Sequence, residues 1–312
     1  MAAGVVHIHA PGRRFAEVVA AALPGRRCEI WDDEADVLAG IGAAEVVIAA
    51  SLPAGAAGRA VRLRRVHALG VGVDALVPGL APAVEVVRVT GVSEAAVSEH
   101  AWALLLALAR QIPLAVAQQQ QRVWRPFPAR RLAGATLAVL GLGAIAGRVA
   151  AAAAGFGVRV IGTRRRTGAV AGVDAVLAPE ATAEALAAAD FVVVALPRTP
   201  ATRGLLDAAM LARMRPGACL VVVSRGGIVD EAALVERLRD GALAGAALDV
   251  AAEEPLSGDS PLWSAPNLLL TPHVGGWSPD YARRVAAAVA ADLERIDRGE
   301  RPAGLVDRAH GY

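Results

Sequence analysis

Thr136-Leu137-Ala138-Val139-Leu140 runs straight into Gly141-Leu142-Gly143-Ala144-Ile145-Ala146-Gly147, and that junction decides the fold. A short apolar run closed by glycine reads as a buried strand, and the alanine-rich stretch through Ala154 that follows reads as a helix. A strand that turns through Gly-x-Gly-x-x-Ala into a helix opens a dinucleotide-binding βαβ unit. Gly141 allows the tight turn, and Gly143 leaves room for a pyrophosphate, whose charge the helix N-terminus meets. Ala146, at the third glycine position, still lets helix and strand pack closely. The run Arg159–Gly162 supplies the second strand of the unit.

The end of that second strand decides the kind of dinucleotide. NAD-binding versions place Asp or Glu about 20 residues after the turn, where it accepts hydrogen bonds from the ribose. Here the chain reads Thr163-Arg164-Arg165-Arg166. Guanidinium groups suit the extra 2′-phosphate of NADP through charge-assisted hydrogen bonds, so NADP is expected, with NAD as the lesser option. A solvated basic loop is the bland alternative.

Outward from the turn, apolar runs of strand length alternate with helical stretches, the pattern of βαβ units around parallel sheets. Early strands are expected at Val5–His9, Glu45–Ala49, Val66–Leu69 and Glu85–Val89, with helices near Arg14–Leu23 and Gly58–Leu63. One long helix is expected from Ser93 through Ala101–Ala109 towards Gln121, followed by a turn-rich basic link to Arg131. Later strands are expected at Phe191–Ala195, Cys219–Val223, Gly245–Leu248 and Leu268–Leu270, and a last helix at roughly Pro279–Arg298. The class is therefore α/β: two Rossmann-like or flavodoxin-like domains with parallel sheets and a ligand cleft between them. Residues 99–272 form the dinucleotide-binding domain, and residues 1–98 with 273–312 the substrate domain.

Composition narrows the chemistry. The chain has 312 residues, 55% hydrophobic and 20% charged, a globular composition with ample core. A net charge of +2 argues against nucleic acid or a membrane surface as partner. All 32 basic residues are arginine, which excludes Schiff-base lysine, a P-loop lysine and a Tyr–Lys dehydrogenase pair. Two cysteines, Cys28 and Cys219, build neither a disulfide framework nor a zinc site, so no metal is expected. No signal-peptide pattern is visible in Met1–Ala10, and the expected location is cytoplasmic.

Three further segments put polar residues at strand ends. They are Ser224-Arg225-Gly226-Gly227-Ile228-Val229-Asp230-Glu231, Leu248-Asp249-Val250-Ala251-Ala252-Glu253-Glu254-Pro255, and Thr271-Pro272-His273-Val274-Gly275-Gly276. With the glycine turn they resemble, in order and spacing, the hallmarks of the D-2-hydroxyacid dehydrogenase family. Leu69-Gly70-Val71-Gly72-Val73-Asp74 resembles its substrate loop, and Leu196-Pro197-Arg198-Thr199-Pro200-Ala201-Thr202 its "LP-TP-T" loop. The resemblance covers nearly the whole chain. It implies a nicotinamide-dependent oxidoreductase acting on a small 2-oxo or 2-hydroxy acid, in the glyoxylate/hydroxypyruvate reductase-like branch.

The chemistry follows from the residue types. Reduction of a 2-oxo acid loads negative charge on the carbonyl oxygen, so a proton donor must sit beside it. His273 fits that task, and Glu254 would stabilise its imidazolium and hold the ring. Arg225 would bind the substrate carboxylate and polarise the carbonyl. The resemblance adds the backbone N–H groups of Val71 and Gly72 as carboxylate donors, Asp249 beside the nicotinamide, and cofactor contacts from Leu196, Pro197, Thr202, Val223, Ser224, His273 and Gly275. It further implies a homodimer, with Ala101–Ala109 as the contact helix. Val222 and Val223 stand where the family often has asparagine. His100 reads as a helix or dimer-contact residue; Trp263 and Trp277 read as pocket or core aromatics. Glu254 counts against a formate dehydrogenase, which carries glutamine there. The 39 residues after His273 read as one helix and a tail, so no regulatory domain is expected. A non-enzymatic NAD(P)-sensing corepressor is the alternative from another class.

Overall fold

Strand-length apolar runs become strands covered on both faces. In a computed structural model of the chain, residues 5–166 and 168–308 are described, and their contacts divide them into two units, one ending at Ser93 and resuming at Trp277, the other Glu94–Gly276. His310 lies outside the described residues.

The first unit runs β1 (Val6–His9), α1 (Arg13–Ala21), β2 (Cys28–Ile30), α2 (Glu34–Gly40), β3 (Val46–Ala49), α3 (Ala56–Arg59), β4 (Arg65–Ala68) and β5 (Glu85–Val87). Its five strands are all parallel in the order β2-β1-β3-β4-β5, the flavodoxin-like winding. The side-chain period of two sends Val47 to one face, with Trp31, Val37 and Val66, and Ile48 to the other, with Ile8 and Val19.

The second unit runs α4 (Glu94–Ala109), α5 (Ile112–Gln120), β6 (Thr136–Leu140), α6 (Ala144–Ala153), β7 (Arg159–Thr163), β8 (Ala175–Leu177), α7 (Thr182–Ala188), β9 (Phe191–Val194), α8 (Ala208–Leu211), β10 (Ala218–Val222), α9 (Glu231–Arg239), β11 (Leu243–Leu248) and β12 (Leu268–Leu270). Its seven parallel strands lie in the order β8-β7-β6-β9-β10-β11-β12. This is the Rossmann winding with one added strand, and its direction reverses between β6 and β9. The last helix, α10 (Tyr281–Asp297), returns to the first unit, where Val285, Val289 and Leu293 pack with Val19 of α1.

Three expectations need correction. The helix from Ser93 does not continue to Gln121. It stops at Ala109, Gln111 turns left-handed at φ 53°, and a second helix starts at Ile112. Pro113 lacks an N–H and its ring would crowd the carbonyl of Ala109, so a continuous helix is not available there. Nor is Ala101–Ala109 a free contact surface. Ala101, Trp102, Leu104, Leu105, Leu108 and Ala109 are all buried, packed with α6, β10 and β11. Because α4 packs as one piece on the second sheet, the units part at its N-terminus rather than after Ser98. Two edge strands, β2 and β8, and helix α2 escaped the sequence reading. Glu29 splits the apolar run of β2, and Asp174 stands directly before the short β8.

Among the described residues no single helix is long and apolar enough to cross a membrane. The bent pair α4–α5 qualifies by length and composition only, and half of α4 is core.

Candidate active site

The site of the second unit lies along the carboxyl ends of its strands, where open α/β sheets bind ligands. At the reversal point β6 is followed directly by Gly141, in the left-handed region at φ 92°. A Cβ there would lie 2.9 Å from Leu196 Cδ2 and 3.1 Å from the Ala195 carbonyl oxygen, so only glycine fits between the two central strands. The Gly141 and Leu142 N–H groups both donate to the Thr163 carbonyl at 3.1 Å, tying the turn to the end of β7.

A Cβ on Gly143 would meet nothing within 4 Å, and no side chain caps α6. The first N–H groups of that helix, from Ala144, Ile145 and Ala146, are therefore without a side-chain cap, with the dipole behind them. Ala146 is fully buried against the sheet, the close packing its position demands. At the end of β10, Val223 is buried, and the Ser224 hydroxyl is buried with no hydrogen-bond partner among the described residues. Uncapped helix, open glycine and orphan hydroxyl all fit a pyrophosphate dinucleotide laid across this edge.

Arg164 follows β7 directly. Its Nη2 donates to the Gly168 carbonyl at 3.3 Å, and its buried Nε has no partner among the described residues. Arg165 beside it is exposed. The loop Leu196–Thr202 is built around one hydroxyl: Thr202 Oγ1 accepts from the Thr199 N–H at 2.8 Å and donates to the Pro197 carbonyl at 2.6 Å. Thr202 thus shapes the loop from within.

His273 and Glu254 come together. His273 Nδ1 lies 2.7 Å from Glu254 Oε2, and Glu254 Oε1 accepts from the Ala251 N–H at 3.0 Å. The His273 backbone sits at φ 53°, a conformation costing a non-glycine residue about 1–2 kcal/mol. Its N–H repays part of that by donating to the Asp249 carbonyl at 2.8 Å. Such strain held by surrounding bonds is common at functional sites.

Arg225 leaves the adjacent strand β10, with Nη1 donating to the Ser224 carbonyl at 2.7 Å. A Cβ on the next residue, Gly226, would fall 1.7 Å from the Ala251 carbonyl oxygen, so the Arg225 turn and the Glu254 loop pack backbone to backbone. Val71 and Gly72 belong to the first unit, in the loop after β4, where the Tyr281 hydroxyl donates to the Leu69 carbonyl at 2.9 Å. Trp277 stacks on Tyr281 there, with ring centroids 5.8 Å apart. Trp263 is exposed, its indole N–H donating to the Ser257 carbonyl at 2.8 Å.

Asp249 is the buried charge of the site. Oδ1 accepts from Thr271 Oγ1 at 2.6 Å and the Val274 N–H at 3.0 Å; Oδ2 accepts from the Gly275 N–H at 2.9 Å. Burial pushes its pKa up, but hydrogen bonds from His100, Thr271, Gly275 and Val274 outweigh that and hold it below the ordinary carboxylate value.

Sequence reasoning missed three participants. His100 Nε2 lies 2.9 Å from Thr271 Oγ1 and 3.2 Å from Asp249 Oδ1. Its signal was available: at helical spacing it falls on the face continued by Leu104 and Leu108, which are buried. Thr271 was visible only as part of a motif. Glu231 Oε1 accepts from the Ala252 N–H at 2.5 Å, holding the Glu254 loop from α9. Burial raises the Glu231 pKa, and the Glu254 charge adds to the rise. No cluster of three or more metal-ligating side chains exists among the described residues.

Fold and site together define a Rossmann-type dinucleotide-binding protein with an imidazole–carboxylate pair at the carboxyl edge of its sheet. Residues 102–275 match the family model of the NAD-binding domain of D-isomer specific 2-hydroxyacid dehydrogenases. The chain belongs to that family. It is 35% identical to D-3-phosphoglycerate dehydrogenase of Mycobacterium leprae over 92% of its own length and 56% of that protein. Against glyoxylate/hydroxypyruvate reductase A of Serratia proteamaculans it is 34% identical, over 80% of this chain and 82% of the relative. The chain spans about half the length of the phosphoglycerate dehydrogenases it matches. Among solved structures, the NADPH-dependent glyoxylate/hydroxypyruvate reductase of Sinorhizobium meliloti, in complex with NADP and sulfate, superposes with a TM-score of 0.88 at 30% identity, covering 99% of this chain and 100% of that one. A D-isomer specific 2-hydroxyacid dehydrogenase of Xanthobacter autotrophicus, in complex with NADPH and MES, gives 0.86 at 33% identity, covering 100% of both chains.

Proposed function

We propose that this chain is an NAD(P)-dependent 2-hydroxyacid dehydrogenase that reduces a small 2-oxo acid of the glyoxylate or hydroxypyruvate kind, with NADPH preferred. The observation that carries the reading is the 2.7 Å contact between His273 Nδ1 and Glu254 Oε2. A carboxylate only accepts, so Nδ1 carries the proton towards Glu254 and Nε2 is left to serve the substrate. The reduced nicotinamide supplies the hydride when bound. His273, as imidazolium, delivers the proton to the carbonyl oxygen through Nε2, and Glu254 stabilises the charged ring before transfer. Arg225 holds the substrate carboxylate and stabilises charge on the carbonyl oxygen.

Gly141, Leu142, Gly143, Ala144, Ile145, Ala146, Thr163, Arg164, Arg165, Leu196, Pro197, Thr202, Val223, Ser224 and Gly275 make up the proposed cofactor edge. Asp249 is assigned to it as well, since Oδ2 accepts fewer protons than Oδ1. The N–H groups of Val71 and Gly72 are assigned to the substrate carboxylate. Cys28 and Cys219 are free thiols, which suits a reducing cytoplasm.

Purified protein mixed with NADPH and glyoxylate or hydroxypyruvate should oxidise NADPH only when both protein and oxo acid are present. Binding of NADPH with no turnover across a panel of 2-oxo acids would overturn the enzyme reading and leave a nucleotide sensor. We also propose a homodimer, its contact moved from α4 to the segment after it. Ile112, Leu114, Val116 and Val123 expose apolar side chains there, and Trp124 is 98% exposed. Light scattering at micromolar concentration should give twice the chain mass, and Trp124→Arg should shift it towards one; a wild-type monomer refutes the dimer.

A further inference from the structure

Every proton in the cluster below His273 can be assigned. Thr271 has one hydroxyl hydrogen, and Asp249 is ionised and can only accept. The 2.6 Å contact between them therefore takes the Thr271 proton to Asp249 Oδ1. His100 Nε2 lies 2.9 Å from that same hydroxyl oxygen and 3.2 Å from Asp249 Oδ1. With both partners acting as acceptors, His100 must carry its proton on Nε2 and share it between them. The ring is partly buried, on the first turns of α4, while its partners stand at the ends of β11 and β12.

Thr271 and Asp249 in turn fix the segment that bears His273. Asp249 takes the N–H groups of Val274 and Gly275, and its carbonyl takes that of His273. At Gly275 a Cβ would lie 2.7 Å from Asp249 Oδ2 and 3.0 Å from His100 Cδ2, so ring and carboxylate close directly over the glycine.

We propose that His100 is a positioning residue for the proton donor: its Nε2–H, shared by Thr271 and Asp249, locks the Thr271–Gly275 turn that holds His273 in its left-handed conformation. The role needs a donor at that reach and no titration of His100. Glutamine, whose side-chain N–H₂ reaches about as far as imidazole Nε2, should replace it; leucine, equal in bulk and without a donor, should not. The inference rests on the reductase reading for its kinetic consequences, though its structural half stands apart.

The test compares wild type, His100→Gln, His100→Leu and Thr271→Val in two measurements. Hydrogen exchange of the peptide spanning residues 271–276 reports the Val274 and Gly275 amides whether or not the protein turns over. Protection there should fall in His100→Leu and Thr271→Val and stay near wild type in His100→Gln. Steady-state reduction of glyoxylate should show kcat down about 10- to 100-fold in His100→Leu, the scale of a displaced catalytic group, with KM for NADPH little changed. His100→Gln should recover most of that loss with an unshifted pH profile. Unchanged exchange and kcat in His100→Leu would overturn the proposal. So would a folded His100→Gln as impaired as His100→Leu, because titration rather than donation would then be needed. If His100→Leu does not fold, Thr271→Val and His100→Gln decide by the same criteria. A wild type that reduces no 2-oxo acid fails the reductase reading, while the exchange data still judge His100.

Discussion

His67 in the first unit and Asp249 in the second are both ionisable groups taken almost wholly out of water, with 1% and 3% of their surface exposed. They meet opposite fates. His67 sits within β4, and its Nε2 has no hydrogen-bond partner among the described residues. Burial, then the charges of Arg65 and Arg26, lower its pKa to about 3, so it is neutral. Asp249 sits one residue beyond β11, surrounded by donors, and keeps its charge. Inside a strand the neighbouring N–H groups are consumed by the ladder and nothing is left to solvate an ion. Past the strand ends, turns release backbone donors. A buried charge is therefore tolerated at the carboxyl edge of a parallel sheet and excluded from its middle, and acid–base residues gather at that edge for the same reason.

The sharpest way to break this contrast is to remove the proposed proton donor. His273→Gln should lower kcat for 2-oxo acid reduction by about 100-fold or more, the range of general acid catalysis, while NADPH binding measured by fluorescence is retained. Near-normal turnover would show that the charged edge of the second unit is not where the proton comes from.

That edge was largely readable in the sequence. Gly141 and Gly143 announced the strand–turn–helix junction, and Arg225, Glu254 and His273 each stood at the end of an apolar run, where their polarity had no packing reason. His100 and Thr271 were not read as functional because their role is pairwise. The burial of the His100 helix face could be read, but nothing in the helix from Glu94 says that its second turn will meet a carboxylate 149 residues further along the chain, at Asp249. The long helix failed for a local reason, since alanine and leucine on both sides of Pro113 keep the helical period through a break that one missing N–H imposes. Edge strand β2 failed because Glu29 interrupts its apolar run.

His67 offers a smaller effect in the other unit. Its unfolded-state pKa is about 6.5 and its folded value about 3, so between those values the unfolded chain binds a proton that the native chain refuses. Stability is unaffected above about pH 6.5 and falls as the pH drops below it. At pH 5 the loss should be about 2 kcal/mol, from 1.36 kcal/mol per pH unit over roughly 1.5 units. Urea denaturation at pH 7 and pH 5 measures it, and His67→Leu should lose that part of the pH dependence. Equal slopes in both proteins would mean that His67 is solvated or partnered, and the contrast with Asp249 would collapse.

The smallest expected effect concerns the cofactor, and it asks whether charge at the edge of β7 selects a ligand as charge at the edge of β11 holds a turn. Arg164 follows the last residue of β7, where an NAD-selective protein carries its ribose-binding carboxylate. A carboxylate there repels a 2′-phosphate and a guanidinium attracts it, so the sign of the preference follows from the charge. Of the five donors of Arg164, Nη2 already meets the Gly168 carbonyl, which holds the side chain beside the strand end and leaves donors for a phosphate. A charged hydrogen bond contributes about 1.5–3 kcal/mol, or roughly 10- to 100-fold in affinity. Solvent exposure places the expectation at the lower end of that range. NADPH should exceed NADH in kcat/KM by about tenfold at low salt, the margin shrinking as ionic strength rises and screens the pair. Arg164→Asp should abolish or reverse the margin without changing the ranking of 2-oxo acids, because the substitution alters only the ribose end of the cofactor. A wild type that uses NADH equally well would make the arginine run a solvated loop and confine the selecting charges of this unit to Arg225, Asp249, Glu254 and His273.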